Sequence, residues 1–474
     1  MQAAGFVMLA TVAVVMLTTG LPAFIAMIGV ASSFAAIGVI AGVIPYTLLM
    51  ALPSRIIGLL ETDLLQALPL YILMCGLLNR LPLADIVFRA FTRAAARSPA
   101  APLLAGLCLG GLLAPMNGSV GASVAMLSRV VRPRLAAHGV APETSFAAVC
   151  AASTLGVVVP PSLVLILFGD AMMRAHTEAL NITHQMTRVI NTQDVFRGAM
   201  LPAALLFALF LLLAWWGGRQ QARPADNQRV GPGEWLVATA TVACIAFLLG
   251  AVTLGYLYAV EAAAAGAVAL CGIGFVTGAL RGELLRGLLS DTMAVTGALF
   301  ALFLAATTFT LVLRAFGTDR LLVAIVAAMP GGAIGAALLV MAMIGICALI
   351  LDAFEIILVI LPLLMPPLLL RAPDAVWDAV LAMLVLQASF LVPPLGYAVM
   401  MARGFFVERL RPAAMARALA PYLTALAVML GLVVAFPCLV HLTAPDDTAI
   451  RPIMSEEAAR RQLLLMTAPE DAGQ

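Results

Sequence analysis

The chain contains no lysine and little charge of either sign. All 26 residues counted as lysine or arginine are arginines, and charged residues occupy only 11% of the 474 positions, whereas hydrophobic residues occupy 63%. A soluble domain is about half apolar and about a quarter charged. The composition therefore excludes a soluble globular protein and indicates an integral membrane protein. The net charge of only +2 argues against nucleic acid as a partner.

The sequence also lacks the signatures of metal, disulfide and catalytic sites. The seven cysteines lie singly in apolar stretches and form no C-x-x-C pair, and the four histidines lie in polar connections or at a helix end. Neither a Ser-His-Asp set nor a glycine-rich phosphate loop is present. We therefore expect neither enzyme activity nor an organic cofactor nor a metal cluster.

Long apolar runs fill most of the chain. A membrane-spanning helix needs roughly 20 apolar residues, which leaves room for on the order of a dozen crossings or partial crossings. The N-terminus, Met1–Gly5, lacks the basic residues of a secretory signal and leads directly into an apolar run, which we interpret as the first helix. An amphipathic segment carries Arg89, Arg93 and Arg97 on one helical face, and we interpret it as an interfacial helix that faces lipid headgroups.

Two apolar segments, Ser153–Ser162 and Ser389–Gly396, each contain a pair of adjacent prolines. A proline has no N–H for the helical hydrogen bond and clashes with the preceding turn, so a proline pair interrupts a helix. In lipid, the freed backbone groups are tolerated only where protein or a water-filled cavity satisfies them. We therefore predict broken helices over about 145–169 and 379–402.

A second irregular stretch precedes each of these segments. Residues 99–127 are apolar but contain Asn117, two glycines and two serines near their centre, which suits the tip of a re-entrant hairpin. A loop between two ordinary helices is the alternative. In the second half, residues 335–370 form a similar apolar block that contains Asp352, and we predict a second hairpin there.

The proline pairs and the predicted hairpin tips recur at one offset along the chain. Pro160 and Pro393 are 233 positions apart, and the same shift places the first hairpin tip opposite Asp352. Such repeats in transporters are often inverted, with the substrate bound near the membrane midplane. Hydropathy alone does not fix the orientation of the two halves. The predicted organisation is a first membrane repeat over 1–216, a linker over 217–233, a second repeat over 234–440 and a polar tail over 441–474.

Asp352 and Glu355 are the only acids in the apolar block from 321 to 370. Ionisable groups inside a membrane are costly and usually face a cavity or a partner. Asp352 is therefore a candidate cation ligand or proton carrier, and pairing with an arginine or exposure at a surface tip is the alternative. For the serines and threonines at the breaks, a hydrogen bond to their own helix is the alternative to ion binding.

At these motifs the chain resembles the large membrane subunit of the tripartite ATP-independent periplasmic (TRAP) transporters. The resemblance covers most of residues 5–440. It is carried by Gly20-Leu21-Pro22, Leu68–Ile72, Gly118–Ser123, Ser153–Ser162, Glu261–Ala264, Leu351–Ile357 and Gln387–Gly396.

The resemblance implies an elevator-type importer of the ion transporter superfamily in the bacterial inner membrane. It would work with a small four-helix membrane subunit, expected as a separate polypeptide, and with a periplasmic substrate-binding protein. A Na⁺ gradient would drive uptake of an organic anion. The acids at the second tip resemble the branch associated with 2-oxo acids, lactate and related carboxylates, and a dicarboxylate is a further candidate.

The resemblance also implies roles for individual residues. Asn117 and Val120 depart from the family pattern, which has small or hydroxyl residues there, and this leaves substrate and ion stoichiometry open. The implied substrate-binding residues are Asn117, Pro161, Ser162 and Pro394. The implied cation-binding residues are Ser119, Gly121, Ser123, Ser153, Thr154, Gly156, Asp352, Gln387, Ser389 and Gly396.

Two other functions remain as alternatives at this point. One is a stand-alone ion-coupled anion symporter of the same superfamily that needs no binding protein. The other is a membrane-embedded enzyme, for which only Asp352 and Glu355 offer the beginning of a catalytic set.

Overall fold

The computed structural model describes residues 4–61, 63–117, 119–183, 188–219, 231–276, 278, 280–372, 374–406 and 410–443. Across these ranges the regular structure is helical and contains no strand, which confirms the all-α prediction. Most of the predicted linker 217–233 and of the predicted tail 441–474 lies outside the described residues.

The part of the chain before the linker forms eleven α-helices in the described ranges. A 3₁₀ turn over Pro115–Asn117 lies between α7 and α8, and a second one over Leu155–Val157 directly follows α9. The helices are α1 Ala4–Thr19, α2 Ala23–Ile40, α3 Tyr46–Leu49, α4 Leu52–Leu60, α5 Asp63–Arg80, α6 Leu83–Ala94, α7 Ala101–Leu113, α8 Val120–Ala137, α9 Pro142–Thr154, α10 Leu163–Thr183 and α11 Thr192–Gly218.

The part after the linker forms another eleven α-helices in the described ranges, and a π-helical stretch over Ile356–Ile360 joins α17 to α18. The helices are α12 Pro232–Leu254, α13 Ala259–Val276, α14 Glu283–Ala315, α15 Thr318–Ala328, α16 Gly332–Cys347, α17 Ala353–Glu355, α18 Leu361–Leu369, α19 Ala375–Leu391, α20 Tyr397–Phe405, α21 Pro412–Ala435 and α22 Cys438–His441.

Six of these helices, α2, α11, α12, α13, α14 and α21, are long and apolar enough to cross a membrane. The number rises to seven if α5 and α6, which meet at a bend of 63°, are taken as one span. Among the helices of the predicted hairpins and broken segments, α7, α9, α16, α18, α19 and α20 are shorter than a span, whereas α8 and α10 have 18 and 21 residues but each carry three charged residues. The protein is a multi-pass membrane protein.

Local sequence signals set the helix ends that matter for the site. The Ser119 side chain accepts a hydrogen bond from the Ala122 N–H at 3.0 Å and starts α8, and the Ser162 side chain accepts from the Leu165 N–H at 3.0 Å and starts α10. Serine is a preferred residue at this position because its oxygen satisfies an unpaired N–H of the first turn. Both proline pairs have cis peptide bonds.

The helices pack as two groups. The scaffold group contains α1, α2, α4, α5, α12, α13 and α14, in which α2 runs along α14 and α13 runs along α5. The core group contains α7 to α11 and α16 to α21, in which α20 packs on α8 and α10 packs on α18. Helices α6 and α15 lie between the groups, since α6 contacts both α7 and α12, and α15 contacts both α14 and α18.

Arginines make the ionic contacts between the groups. The Arg314 guanidinium on α14 binds both carboxylate oxygens of Glu178 on α10 at 2.8 and 2.9 Å and donates to the Pro362 carbonyl at 3.0 Å. Arg89 on α6 pairs with Glu234 on α12 at 2.7 Å. A fork-shaped guanidinium suits such paired contacts because it donates two parallel hydrogen bonds.

We expect Gly266→Leu to destabilise the scaffold group. A Cβ on Gly266 would lie 2.5 Å from the Met74 sulfur of α5 and 3.3 Å from a Leu248 methyl of α12, so a larger side chain forces α13 away from its neighbours. Overpacking of this kind costs about 1–3 kcal/mol. The measurement is the Tm of the detergent-purified protein, with Gly272→Leu on the same helix as control, because Gly272 faces open space. Equal Tm values for the two variants would contradict this packing.

Candidate functional site

The first hairpin tip lies directly against the first break. A Cβ on Gly156 would lie only 2.6 Å from the Ala114 carbonyl oxygen, and a Cβ on Gly110 would lie 2.5 Å from the Ala152 Cβ. Small residues at these two points therefore let α7 approach α9 closely, as is common where helices pack in membranes.

A narrow crevice between this tip and this break gathers several of the predicted cation ligands. It has no room for a water molecule. Both α8 and α10 begin here, so the positive ends of two helices face the crevice, while α9 ends here and contributes its carbonyls. The lining residues are Ala114, Pro115, Ser119, Val120, Ser153, Gly156, Ser162 and Val164.

Two serine hydroxyls around the crevice donate hydrogen bonds to backbone carbonyls of their own helices. Ser153 donates to the Cys150 carbonyl at 2.8 Å, and Ser123 donates to the Ser119 carbonyl at 3.0 Å. These are the own-helix hydrogen bonds that the alternative interpretation predicted. Because a hydroxyl oxygen keeps its lone pairs after donating, these oxygens are still chemically able to act as ligands of a cation.

The second hairpin tip is acidic. Asp352 precedes α17, and its N–H donates to the Glu355 carboxylate at 3.1 Å. Asp352 Oδ1 is buried and has no hydrogen-bond partner among the described residues. Ser119 and Asp352 thus both lie at the start of the returning limb of a hairpin, 233 positions apart. The tip presents one carboxylate oxygen with unused acceptor capacity.

The second tip is also close to the second break. Ser389 donates to the Val385 carbonyl at 2.8 Å, and a Cβ on Gly345 of α16 would lie 3.3 Å from the Ser389 hydroxyl oxygen. Gly396 directly precedes α20, and a Cβ there would lie 2.5 Å from the Phe390 carbonyl oxygen, so only glycine fits this turn.

The two breaks meet at a contact between Thr154 and Gln387. The Gln387 side-chain amide lies 3.5 Å from the Thr154 hydroxyl, and both residues are fully buried. The contact joins positions that are 233 apart, which is also the spacing of Pro160 and Pro393. Neither residue lines the first crevice, so this contact is separate from it.

The environments of the two breaks differ. Pro161 at the first break is buried against an apolar cavity lined by scaffold residues such as Tyr71 and Leu248. At the second break Pro394 is exposed, and the neighbouring Val392 and Leu395 are 38% and 55% exposed. The scaffold group covers one break and leaves the other open.

The scaffold group also contacts the first tip through a polar network. The Cys75 thiol on α5 lies 3.3 Å from Asn117 Oδ1, and the Asn79 amide donates to the Cys75 sulfur at 3.3 Å. Asn117 Nδ2 is buried without a partner among the described residues. This amide nitrogen is a donor that a ligand or a water molecule can use.

Sequence reasoning missed two residues, one at this site and one buried acid near the start of α19. Tyr397 begins α20, and its hydroxyl lies 3.1 Å from the position of a Cβ on Gly121, a predicted cation-site residue of the first tip. Asp378 on α19 is fully buried, and both its carboxylate oxygens lack a hydrogen-bond partner in the described part of the chain. Tyr397 directly follows the Gly396 motif, and Asp378 interrupts an apolar run, so both positions carried a signal.

Among solved structures, the fold is similar to that of the YdaH transporter from Alcanivorax borkumensis, described in its crystal structure as having an unusual topology. The TM-score is 0.57 at 17% sequence identity, and the match covers 83% of this chain and 89% of that chain. No curated protein sequence matches the chain significantly.

At this sequence identity the likeness shows the fold alone. The class of protein, a membrane transporter, is shown by sequence. The model of the DctM component of the tripartite ATP-independent periplasmic transporters matches residues 10–439, and the chain belongs to this family. This result confirms the resemblance drawn from the motifs.

We expect Gly156→Ala to impair both stability and transport. The added methyl would lie 2.6 Å from a backbone oxygen that has no rotamer with which to move away, so the tip and the break must separate. The cost of such overpacking is about 1–3 kcal/mol. The Tm of the purified protein reports the separation, and Gly250→Ala on α12 is the control because that glycine faces open space. Equal Tm values for the variant and its control would contradict the close approach.

Proposed function

We propose that this chain is the permease subunit that carries an organic anion across the bacterial inner membrane, driven by a Na⁺ gradient. The cargo is a carboxylate, such as a 2-oxo acid, a 2-hydroxy acid or a dicarboxylate. A periplasmic binding protein delivers it, and a small four-helix membrane subunit completes the transporter. Family membership supports the tripartite assembly. The observation that carries the proposal is the meeting of the two breaks at the Thr154–Gln387 contact, with a hairpin tip close to each break.

The two halves of the chain act in this proposal as inverted repeats. Several helix pairs support it, because α2 packs on α14 as α13 packs on α5, and α20 packs on α8 as α10 packs on α18. In each pair, one helix comes from each half. An exchange of partners of this kind is what a pseudo-two-fold axis in the membrane plane produces.

Each repeat contributes one Na⁺ site in this proposal. At the first tip the ligands are the hydroxyl and backbone oxygens around Ser119 and Ser153, where a helix ends and frees its carbonyls. At the second tip the ligands are the free Asp352 oxygen together with the oxygens around Ser389. The negative charge of Asp352 would repel a carboxylate cargo. A Na⁺ ion bound at the second site compensates this charge.

The anion binds between the two sites. Bound Na⁺ and the positive ends of α8, α10 and α20 supply the attraction, since the segments 114–123, 153–162 and 387–397 contain no arginine. Asn117 Nδ2 and the Ser162 segment provide further polar contacts at the first tip, with Pro161 and Pro394 shaping the two breaks. Binding of cargo and ion is thereby coupled, because each reduces the electrostatic cost of the other.

The core group moves as a unit against the scaffold group in an elevator-type cycle. The different coverage of Pro161 and Pro394 supports this proposal, because it is the asymmetry expected when one side of a two-sided site is closed. The Arg314–Glu178 pair spans the two groups and breaks or changes partner during such a movement.

We expect proteoliposomes that contain this chain, its small subunit and a loaded binding protein to accumulate a carboxylate only with an inward Na⁺ gradient. Radiolabelled pyruvate, lactate and succinate form the test panel. Replacement of Na⁺ by choline and an imposed proton gradient serve as separate controls. Equal uptake in the absence of Na⁺ would refute Na⁺ coupling, and uptake without the binding protein would favour a stand-alone symporter.

We expect Asp352→Asn to reduce transport at least tenfold with little loss of folded protein. Asparagine is as good as aspartate at a helix start, so the substitution removes the charge and keeps the local structure. The matched control is Asp374→Asn, because the Asp374 side chain also starts a helix, accepting from the Trp377 N–H at 3.0 Å, at the end of α19 opposite to Gln387. The half-saturating Na⁺ concentration should rise in the first variant alone. Uptake at the wild-type level would remove Asp352 from the site.

A further inference from the structure

Tyr397 occupies the point where the second break and both hairpin tips come together. It is the first residue of α20, and its ring contacts that of Phe390 on α19 with a centroid distance of 6.0 Å. The two rings lie on opposite sides of the proline pair at 393 and 394, so their contact bridges the break.

The hydroxyl of Tyr397 lies at the first hairpin. It occupies space left free by the missing side chain of Gly121, where a Cβ would be 3.1 Å from the oxygen. Gly121 is in the first turn of α8, two residues after the tip residue Ser119. Helices α8 and α20 run side by side from this point, and Arg132 on α8 donates to the Phe405 carbonyl at 2.6 Å near the other end. Contacts near both of their ends therefore hold α8 and α20 together, and this packing fixes the position of the Tyr397 ring.

The Tyr397 phenol is also within electrostatic range of the second tip, where the Asp352 and Glu355 carboxylates lie. Yet the hydroxyl makes no hydrogen bond to the described residues. Tyr397 is only half-buried, so its hydroxyl is not enclosed by protein. A donor located between the two tips and without a partner among the described residues is available to a ligand.

We propose that the Tyr397 hydroxyl donates a hydrogen bond to a carboxylate oxygen of the bound anion and so helps to determine which anions are carried. The inference rests on the proposed function and adds a specificity-determining residue to it. A neutral donor suits this place, because an arginine beside Asp352 would form a permanent ion pair and compete with the coupling ion. The phenol orients the carboxylate, while Na⁺ and the helix ends provide its charge balance.

The test compares uptake by the wild-type chain and by Tyr397→Phe in proteoliposomes with the small subunit and loaded binding protein. Phenylalanine keeps the ring and its contact with Phe390 and removes only the hydroxyl. Loss of one hydrogen bond to a charged group predicts a KM about ten- to a hundredfold higher for the transported acid. The maximal rate and the half-saturating Na⁺ concentration should stay within about twofold, because no Na⁺ ligand is changed.

A further variant separates recognition from packing. Tyr422→Phe is the matched control, since this buried tyrosine packs on Phe210 at 5.1 Å between α11 and α21 and should leave KM unchanged.

Each outcome bears on one proposal. A KM for Tyr397→Phe equal to that of the wild type overturns the role of Tyr397 and leaves the proposed function standing. A fall in Tm and in maximal rate without a change in KM also overturns it, because that result describes a packing residue. Failure of the wild type to transport any acid of the panel would instead overturn the proposed function itself.

Discussion

A membrane interior requires that every backbone group freed from a helix finds a partner within the protein. Two proline pairs interrupt helices in this chain, and the rest of the core group is arranged to meet that requirement. Each break lies close to the tip of a hairpin, and the breaks face each other through Thr154 and Gln387. The scaffold group covers the first break in addition and leaves the second one exposed.

Small residues make this arrangement sterically feasible. The carbonyl of Ala114 reaches Gly156, and the hydroxyl of Tyr397 reaches Gly121, only because neither glycine has a side chain. Lipid gives little hydrophobic drive for helix association, so close backbone approach is the main source of packing energy. The glycines that set these distances also keep the polar oxygens near one another, which links the stability of the core to the geometry of the site.

Much of this was readable from the sequence, and the limits have physical causes. Proline pairs and clustered polar residues in apolar runs predicted the breaks and tips, because such residues break helices wherever they occur. The contacts between Thr154 and Gln387 and between Tyr397 and Gly121 were not predicted, because they depend on how distant segments pack. The hydroxyls of Ser153 and Ser389 turned out to donate to their own helices, a choice that the sequence leaves open. The predicted repeat boundaries and ligand roles stay predictions.

The unequal coverage of the two breaks has an energetic consequence. Valine, leucine and proline dominate both breaks, so the apolar surface hidden at the first resembles the surface displayed at the second. In the proposed cycle, the scaffold group uncovers the first break as it covers the second, so the total buried apolar area stays nearly constant. The end states then differ little in free energy, and small contributions from ions and cargo are sufficient to determine which one is populated. The resemblance between the two halves would in this way keep the two end states of the transporter close in free energy, so that its movement is readily reversible.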